Sequence, residues 1–149
     1  MILDRVEFKN VEKIEIKRKI YELNREKGKK FFDERKYLEA SKVYKFITHI
    51  SENLPKSKYS EEELDEIENM NFNSKKNYIR CYFKITDEWS KKDFREFAKQ
   101  TLDYMLHKRP NDHMVVFFQA KWLLSERMLD DAYRAAVKSN SMVKNQATI

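Results

Sequence analysis

From Val11 to Arg35 the apolar positions fall at helical spacing, at Ile14, Ile20 or Tyr21, Gly28, Phe31 and Phe32. Asp33 to Lys36 makes a short polar break. A second amphipathic run follows, with Tyr37, Ala40, Val43, Tyr44, Ile47 and Ile50 on one face, and it must end near Pro55, which has no N–H to continue a helix. Residues 55–59 predict a polar loop. Ser60 and Glu63 then have the spacing of a capping box, in which the hydroxyl meets an orphan backbone N–H and the carboxylate reaches back to the cap. Three glutamates in this first turn also suit the positive end of the helix dipole, so a capped start accounts for the acidic cluster without a metal. The helix it opens is predicted to run to Ile85, carrying Leu64, Ile67, Phe72, Tyr78, Ile79, Tyr82 and Phe83. Further helices are predicted over 90–106, 112–126 and 128–139, the first of them packing Phe94, Phe97 or Ala98, Leu102 and Met105. Six helices with short connections predict an all-α domain over 11–140, built as stacked antiparallel pairs, with a frayed tail over 141–149. Residues 1–10 lack the charged start and apolar stretch of a signal peptide. Their Ile2, Leu3, Val6 and Phe8 read as a strand-like N-terminal extension, the end of a preceding domain.

Composition narrows the choice further. One Gly and two Pro, beside 38% charged and 13% aromatic residues, leave too few turn formers for a β-rich fold and too many aromatics for disorder. The net charge of +6 would suit an acidic peptide, a nucleic acid or an anionic membrane surface. It arises from 31 basic residues interleaved with 25 acidic ones, which argues against the unbroken basic stripe of a nucleic-acid binder. The longest apolar run, Met114 to Phe118, is far short of a membrane span. Cys81, the single cysteine, has no intrachain disulfide partner, and no N-x-S/T sequon occurs, which points to a reducing compartment, the cytoplasm or the nucleus.

The helices also repeat. Gly28, Phe31, Tyr37, Ala40 and Tyr44 form a small–aromatic, then aromatic–small–aromatic pattern across the first pair. Ala120, Leu123, Leu129, Ala132 and Ala136 follow at the same intervals in the third pair. The middle pair is degenerate, with Ile79 at the small position and Trp89 or Phe94 opening its second helix. This pattern resembles the tetratricopeptide repeat (TPR), a helix–turn–helix unit of about 34 residues in which a small residue lets the two helices touch. Gly28 to Ile79 is longer than one such period, so extra helix and loop are expected between the first two repeats. That layout, with "REKGKKFF" early and "NYIRCYFKI" later, resembles the C-terminal TPR domain of the large FK506-binding immunophilins and of the aryl-hydrocarbon-receptor-interacting protein group, over about residues 12–139. The resemblance implies a TPR solenoid of three helix pairs, with a long first helix and an insertion between repeats 1 and 2.

In that family a carboxylate clamp of Lys and Asn on the first helix, Asn on the third, and Lys and Arg on the fifth grips the acidic C-terminus of Hsp90 or Hsp70. The chemistry is convergence of charge-assisted donors on a terminal carboxylate. Here Arg25 stands at the first Lys position, Lys29 replaces the first Asn, and Asn77 matches the second. Met114 and Phe118 stand where the Lys and Arg of the fifth helix should be. Losing those two donors would cost about 1.5–3 kcal/mol each, enough to turn a micromolar ligand into a millimolar one. Lys76, Arg80 and Lys121 share the helical faces of these residues. The resemblance therefore implies a basic strip of Arg25, Lys29, Lys76 and Arg80 with Lys121, ending at an apolar patch of Met114, Phe117 and Phe118. Such a groove would take an acidic segment with bulky apolar anchors; the alternative for Met114 and Phe118 is packing against neighbouring helices.

His49, His107 and His113 share no metal-ligand spacing with Cys81 or with each other, one glycine cannot make a phosphate loop, and Asp130-Asp131 fits a helix start. Cys81 lies on an aromatic-rich helix as a packing residue. No cofactor, metal or catalytic constellation is predicted. The expected function is a non-catalytic protein-interaction module, adaptor or co-chaperone-like; the alternatives are a genuine Hsp90/Hsp70 tail binder with a rearranged clamp and a basic nucleic-acid-binding domain. Uncapped C-terminal helices would allow two chains to pair as a homodimer.

Overall fold

The computed structural model describes residues 14–147. Among these the protein is all-helical: α1 (Ile14–Asp33), α2 (Tyr37–Glu52), a short 3-10 turn at Lys56–Lys58, α3 (Glu61–Lys84), α4 (Glu88–Lys108), α5 (His113–Ser125) and α6 (Leu129–Ala147). The expected strand-like stretch in residues 1–10 lies outside the described residues. The chain divides into two compact units, one through Ile85 and one from Thr86 on. This boundary falls between α3 and α4, the two helices predicted as the middle pair, within what the sequence reads as a single domain.

The starts of α3, α4 and α5 follow from their caps. Ser60 Oγ accepts the Glu63 backbone N–H at 3.2 Å and the Ser60 N–H donates to the Glu63 carboxylate at 3.0 Å, the reciprocal box read from the sequence. Asp87 caps α4 by accepting the Trp89 N–H, and Asp112 caps α5 by accepting those of Met114 and Val115. Asp130 and Asp131 lie in the first turn of α6, where the dipole favours them. At the other end the last helix runs past its predicted limit at residue 139: α6 continues through residues 141–147, since nothing after Ser139 in that stretch breaks a helix.

In the first unit α2 packs against both α1 and α3. Ala40, Tyr44 and Ile47 of α2 are buried with Phe72, Tyr78, Ile79, Cys81 and Tyr82 of α3. Leu54, just past α2, closes on Ile67 of α3 beneath Tyr59. The approach of α1 to α2 is set by Gly28, where an added Cβ would lie 2.8 Å from Tyr44 Cζ. A polar seam closes the C-terminal end of α2 against α3: buried Asn71 donates to Ser51 Oγ at 2.9 Å and to Glu52 at 3.3 Å, and buried Lys75 donates to Glu52 at 2.5 Å. In the second unit α5 pairs with α6, and α4 packs on α5. Val116 and Ala120 meet Ala135, with Leu123 and Met142 against them, and the Ser139 hydroxyl donates to the His113 carbonyl at 2.8 Å.

The turns of the two hairpins are the same structure. Arg35 sits at φ 62° and Arg127 at φ 63°, the left-handed region. The Arg35 N–H donates to the Phe32 carbonyl at 3.0 Å and the Lys36 N–H to that of Phe31 at 2.8 Å. The Arg127 N–H likewise donates to the Leu124 carbonyl at 3.0 Å and the Met128 N–H to that of Leu123 at 2.9 Å. This is the Schellman arrangement, which satisfies the last carbonyls of a helix and reverses the chain. The positions correspond at one constant offset, the one that relates Gly28 to Ala120 and Ala40 to Ala132 in the sequence. One counterpart differs in its surroundings: Tyr44 is buried, whereas Ala136, at the matching position, is exposed.

Two consequences are measurable. Gly28→Ala gains about 1 kcal/mol of helix propensity but drives a methyl into a buried ring, an overpacking that costs about 1–3 kcal/mol. A net loss of stability is expected in urea unfolding, smaller when Tyr44 is also shortened to Leu. Arg127→Gly removes the left-handed strain of a Cβ-bearing residue at an exposed turn, and should raise stability by about 0.5–1 kcal/mol in the same measurement.

Candidate functional site

The predicted groove residues fall on three helices in both units. In the first unit Arg25 and Lys29 are exposed, one turn apart on α1, and Lys76, Asn77 and Arg80 lie within one turn of α3. Tyr44 joins the two sets. Its ring is buried against Gly28, while its hydroxyl end feels the charges of both Arg25 and Arg80. Burial pushes the Tyr44 hydroxyl up to about 12; the nearby Cys81 adds to that, and the two guanidinium groups act against it. Tyr21, half-buried on α1, is also raised by burial, against the charge of Arg25 and the side chains of Asn73 and Ser74. The Arg80 guanidinium donates to the Asn77 side-chain oxygen at 3.3 Å. The Lys76 ammonium lies 5.2 Å above the Phe72 ring, a cation–π contact that holds its stem along α3. Arg25 on α1 and Arg80 on α3 thus both act on one tyrosine, and Arg80 is joined to Asn77. Lys29 lies beside Glu26, Lys30, Asp33 and Glu34 in a shallow surface hollow of mixed charge.

The second-unit residues all lie on α5. Met114 is half-buried in its first turn, and Phe118 is only 2% exposed, so its ring is interior and unavailable as an open groove surface. The neighbouring Phe117 is the exposed aromatic, with the Lys121 ammonium 5.3 Å above its ring. The registers of Phe117 and Phe118 differ by one residue, and a helix rotates by about 100° per residue. A one-residue step therefore exchanges an interior position for a surface one.

Sequence reasoning missed the charged seam at the C-terminal end of α2. Its signal was present in the run Ser51-Glu52 opposite Asn71 and Lys75, but only the packing of α2 on α3 brings them together. Burial raises the Glu52 carboxyl, but the hydrogen bond and charge of Lys75, with the Asn71 amide, outweigh it and leave it below its ordinary value. Cys81 is fully buried, and burial pushes its thiol up to about 12, so it stays protonated and unreactive at neutral pH. Among the described residues no group of three or more His, Cys, Asp or Glu is arranged to hold a metal ion, and no helix is long and apolar enough to cross a membrane. Compared with known protein families, curated proteins and solved structures, the chain matches none.

Because the Glu52 carboxyl is depressed in the folded state, its contribution is present above the ordinary value of 4.5 and is lost as the pH falls through the folded value. Glu52→Gln should therefore cost about 1 kcal/mol at neutral pH, the half-exposed carboxylate being partly screened by water. The gap between variant and wild-type stabilities, read by urea unfolding across pH, should hold constant above pH 4.5 and close below it.

Proposed function

We propose that the chain is a TPR-type protein-interaction module whose α1–α3 face binds an acidic segment of a partner protein. The observation that carries this reading is that the charges of Arg25 and Arg80 both act on Tyr44, with Asn77 hydrogen-bonded to Arg80. Two guanidinium groups and an amide on rigid helices present several N–H donors to one region of surface. A carboxylate is the ligand that such donors fit, because both guanidinium planes can meet its two oxygens. The tyrosine ring is wedged against Gly28, so the helices that carry the donors are fixed relative to one another where it packs. The repeated small-residue hairpin, with its matched turns at Arg35 and Arg127, supports the repeat-module part of the reading.

The acidic neighbours of Lys29 count against nucleic acid. Glu26, Asp33 and Glu34 interrupt the α1 surface where a phosphate backbone would need an unbroken basic track. Retention of Arg25 and Asn77, two positions of the carboxylate clamp in the family the sequence resembles, favours a chain-terminal carboxylate within the segment. That would make an Hsp90- or Hsp70-like tail one member of the ligand class.

The test is calorimetric titration with a short Asp/Glu-rich peptide bearing a free C-terminal carboxylate, against the same peptide amidated and against a DNA duplex. Binding should weaken as salt rises, disappear in Arg25→Glu/Lys29→Glu, and fall about tenfold in Asn77→Ala, the equivalent of one charge-assisted bond. Weaker binding on amidation would support recognition of the terminal carboxylate. Binding indifferent to the Arg25 and Lys29 reversals, or tighter binding to DNA than to the peptide, would overturn the reading.

A further inference from the structure

The matched hairpins expose a difference in how their second helices are covered. In the first unit α2 is covered by α3, and Ser41, Tyr44, Thr48 and Ser51 are buried on that helix. At the constant offset that relates the two turns, these four correspond to Tyr133, Ala136, Asn140 and Val143 on α6. All four of the α6 counterparts are exposed, Tyr133 at 72%. The α6 face that packs inward is a different one, formed by Ala132, Ala135 and Ser139. Beside it Leu129, Tyr133, Ala136, Val137 and Val143 make an open apolar strip along the helix, with Leu129 at 64% and Val137 at 47% exposure. Singly exposed apolar residues are ordinary, but five on one strip of one helix mark a contact surface.

We propose that this strip pairs with its own copy: two chains associate through α6 packed antiparallel against α6, with the two-fold axis beside Val137. The charges at the ends of the strip select this occupant. Asp130 borders it near the N-terminus of α6 and Lys144 near the C-terminus, both exposed. About a two-fold axis at Val137, Asp130 of each copy meets Lys144 of the other, so opposite charges close both ends. A parallel pairing would instead set Asp130 against Asp130 and Lys144 against Lys144. Antiparallel packing also opposes the two helix dipoles favourably. The arrangement supplies each α6 with the helical cover that α3 gives α2, and it does not depend on the peptide-binding reading of the α1–α3 face.

The helix is 19 residues long, which corresponds to about 28 Å. One helix pair of that length covers less than the roughly 1,200–2,000 Å² of a stable interface, so the association should be weak, with a midpoint on the order of tens of micromolar. Sedimentation velocity on the full chain, from about 5 to 500 μM, should show conversion from monomer to dimer across that range. Val137→Glu, which sets two carboxylates face to face at the axis, should raise the midpoint at least about tenfold while leaving the helical circular dichroism unchanged. A Val137→Cys chain should form a disulfide dimer under mild oxidation, because the axis brings the two positions together. A Lys138→Cys chain should not, since Lys138 faces away from the strip; Cys81 is buried and stays out of the reaction. Asp130→Lys and Lys144→Asp should each weaken the dimer, and the double variant should restore it. A monomer throughout the range, a dimer indifferent to Val137→Glu, equal cross-linking at both cysteine positions, or failure of the charge swap to restore pairing would overturn the proposal.

Discussion

The contact between Tyr44 and Gly28 is the constraint from which the first unit follows. The ring lies so close to the glycine Cα that no side chain fits between α1 and α2 at that level. This fixes the height at which the two helices meet. The hydroxyl end of the ring, the part that meets Gly28, also feels the charges of Arg25 and Arg80, so one side chain relates the packing of α2 to charge on α1 and α3. Desolvation of the hydroxyl opposes its ionisation, and the charges of Arg25 and Arg80 act against that.

Much of this was legible in the sequence because it depends on local chemistry. The capping box at Ser60 and Glu63, the break at Pro55 and the apolar period of α3 are set by neighbours along the chain. The close approach of two helices at Gly28 was legible for another reason, though its partner Tyr44 was not: a lone glycine inside a helix of good helix formers is costly unless something needs the space. The continuation of α6 past Ser139 was not, because its polar residues neither require a helix nor break one. Nor was the interior position of Phe118, since Phe117 and Phe118 are chemically alike and only tertiary packing chooses which faces inward. The Lys75–Glu52 seam was hidden for a third reason: each member reads as an ordinary surface charge until α2 and α3 are brought together.

The two hairpins show how far one turn geometry can serve different surroundings. At both turns an arginine occupies the conformation that usually calls for glycine, and the same two backbone bonds close the helix end. The turn specifies only that two helices run back along each other. What lies against their outer faces depends on the side chains, small and polar on α2 where Ser41, Thr48 and Ser51 lie under α3, and larger and apolar on α6 where Leu129, Tyr133 and Val137 are open.

The division after Ile85 also bears on how the chain reaches its native state. Within each unit the principal packed helices are close neighbours along the sequence, α1 with α2 and α2 with α3, then α4 with α5 and α5 with α6. Contacts of such short sequence separation close small loops, and loop closure is the entropic term that slows folding most. The two Schellman turns lie at the centres of the hairpins and need only local hydrogen bonds to form. Each unit can therefore nucleate within its own stretch of chain, from contacts of short sequence separation.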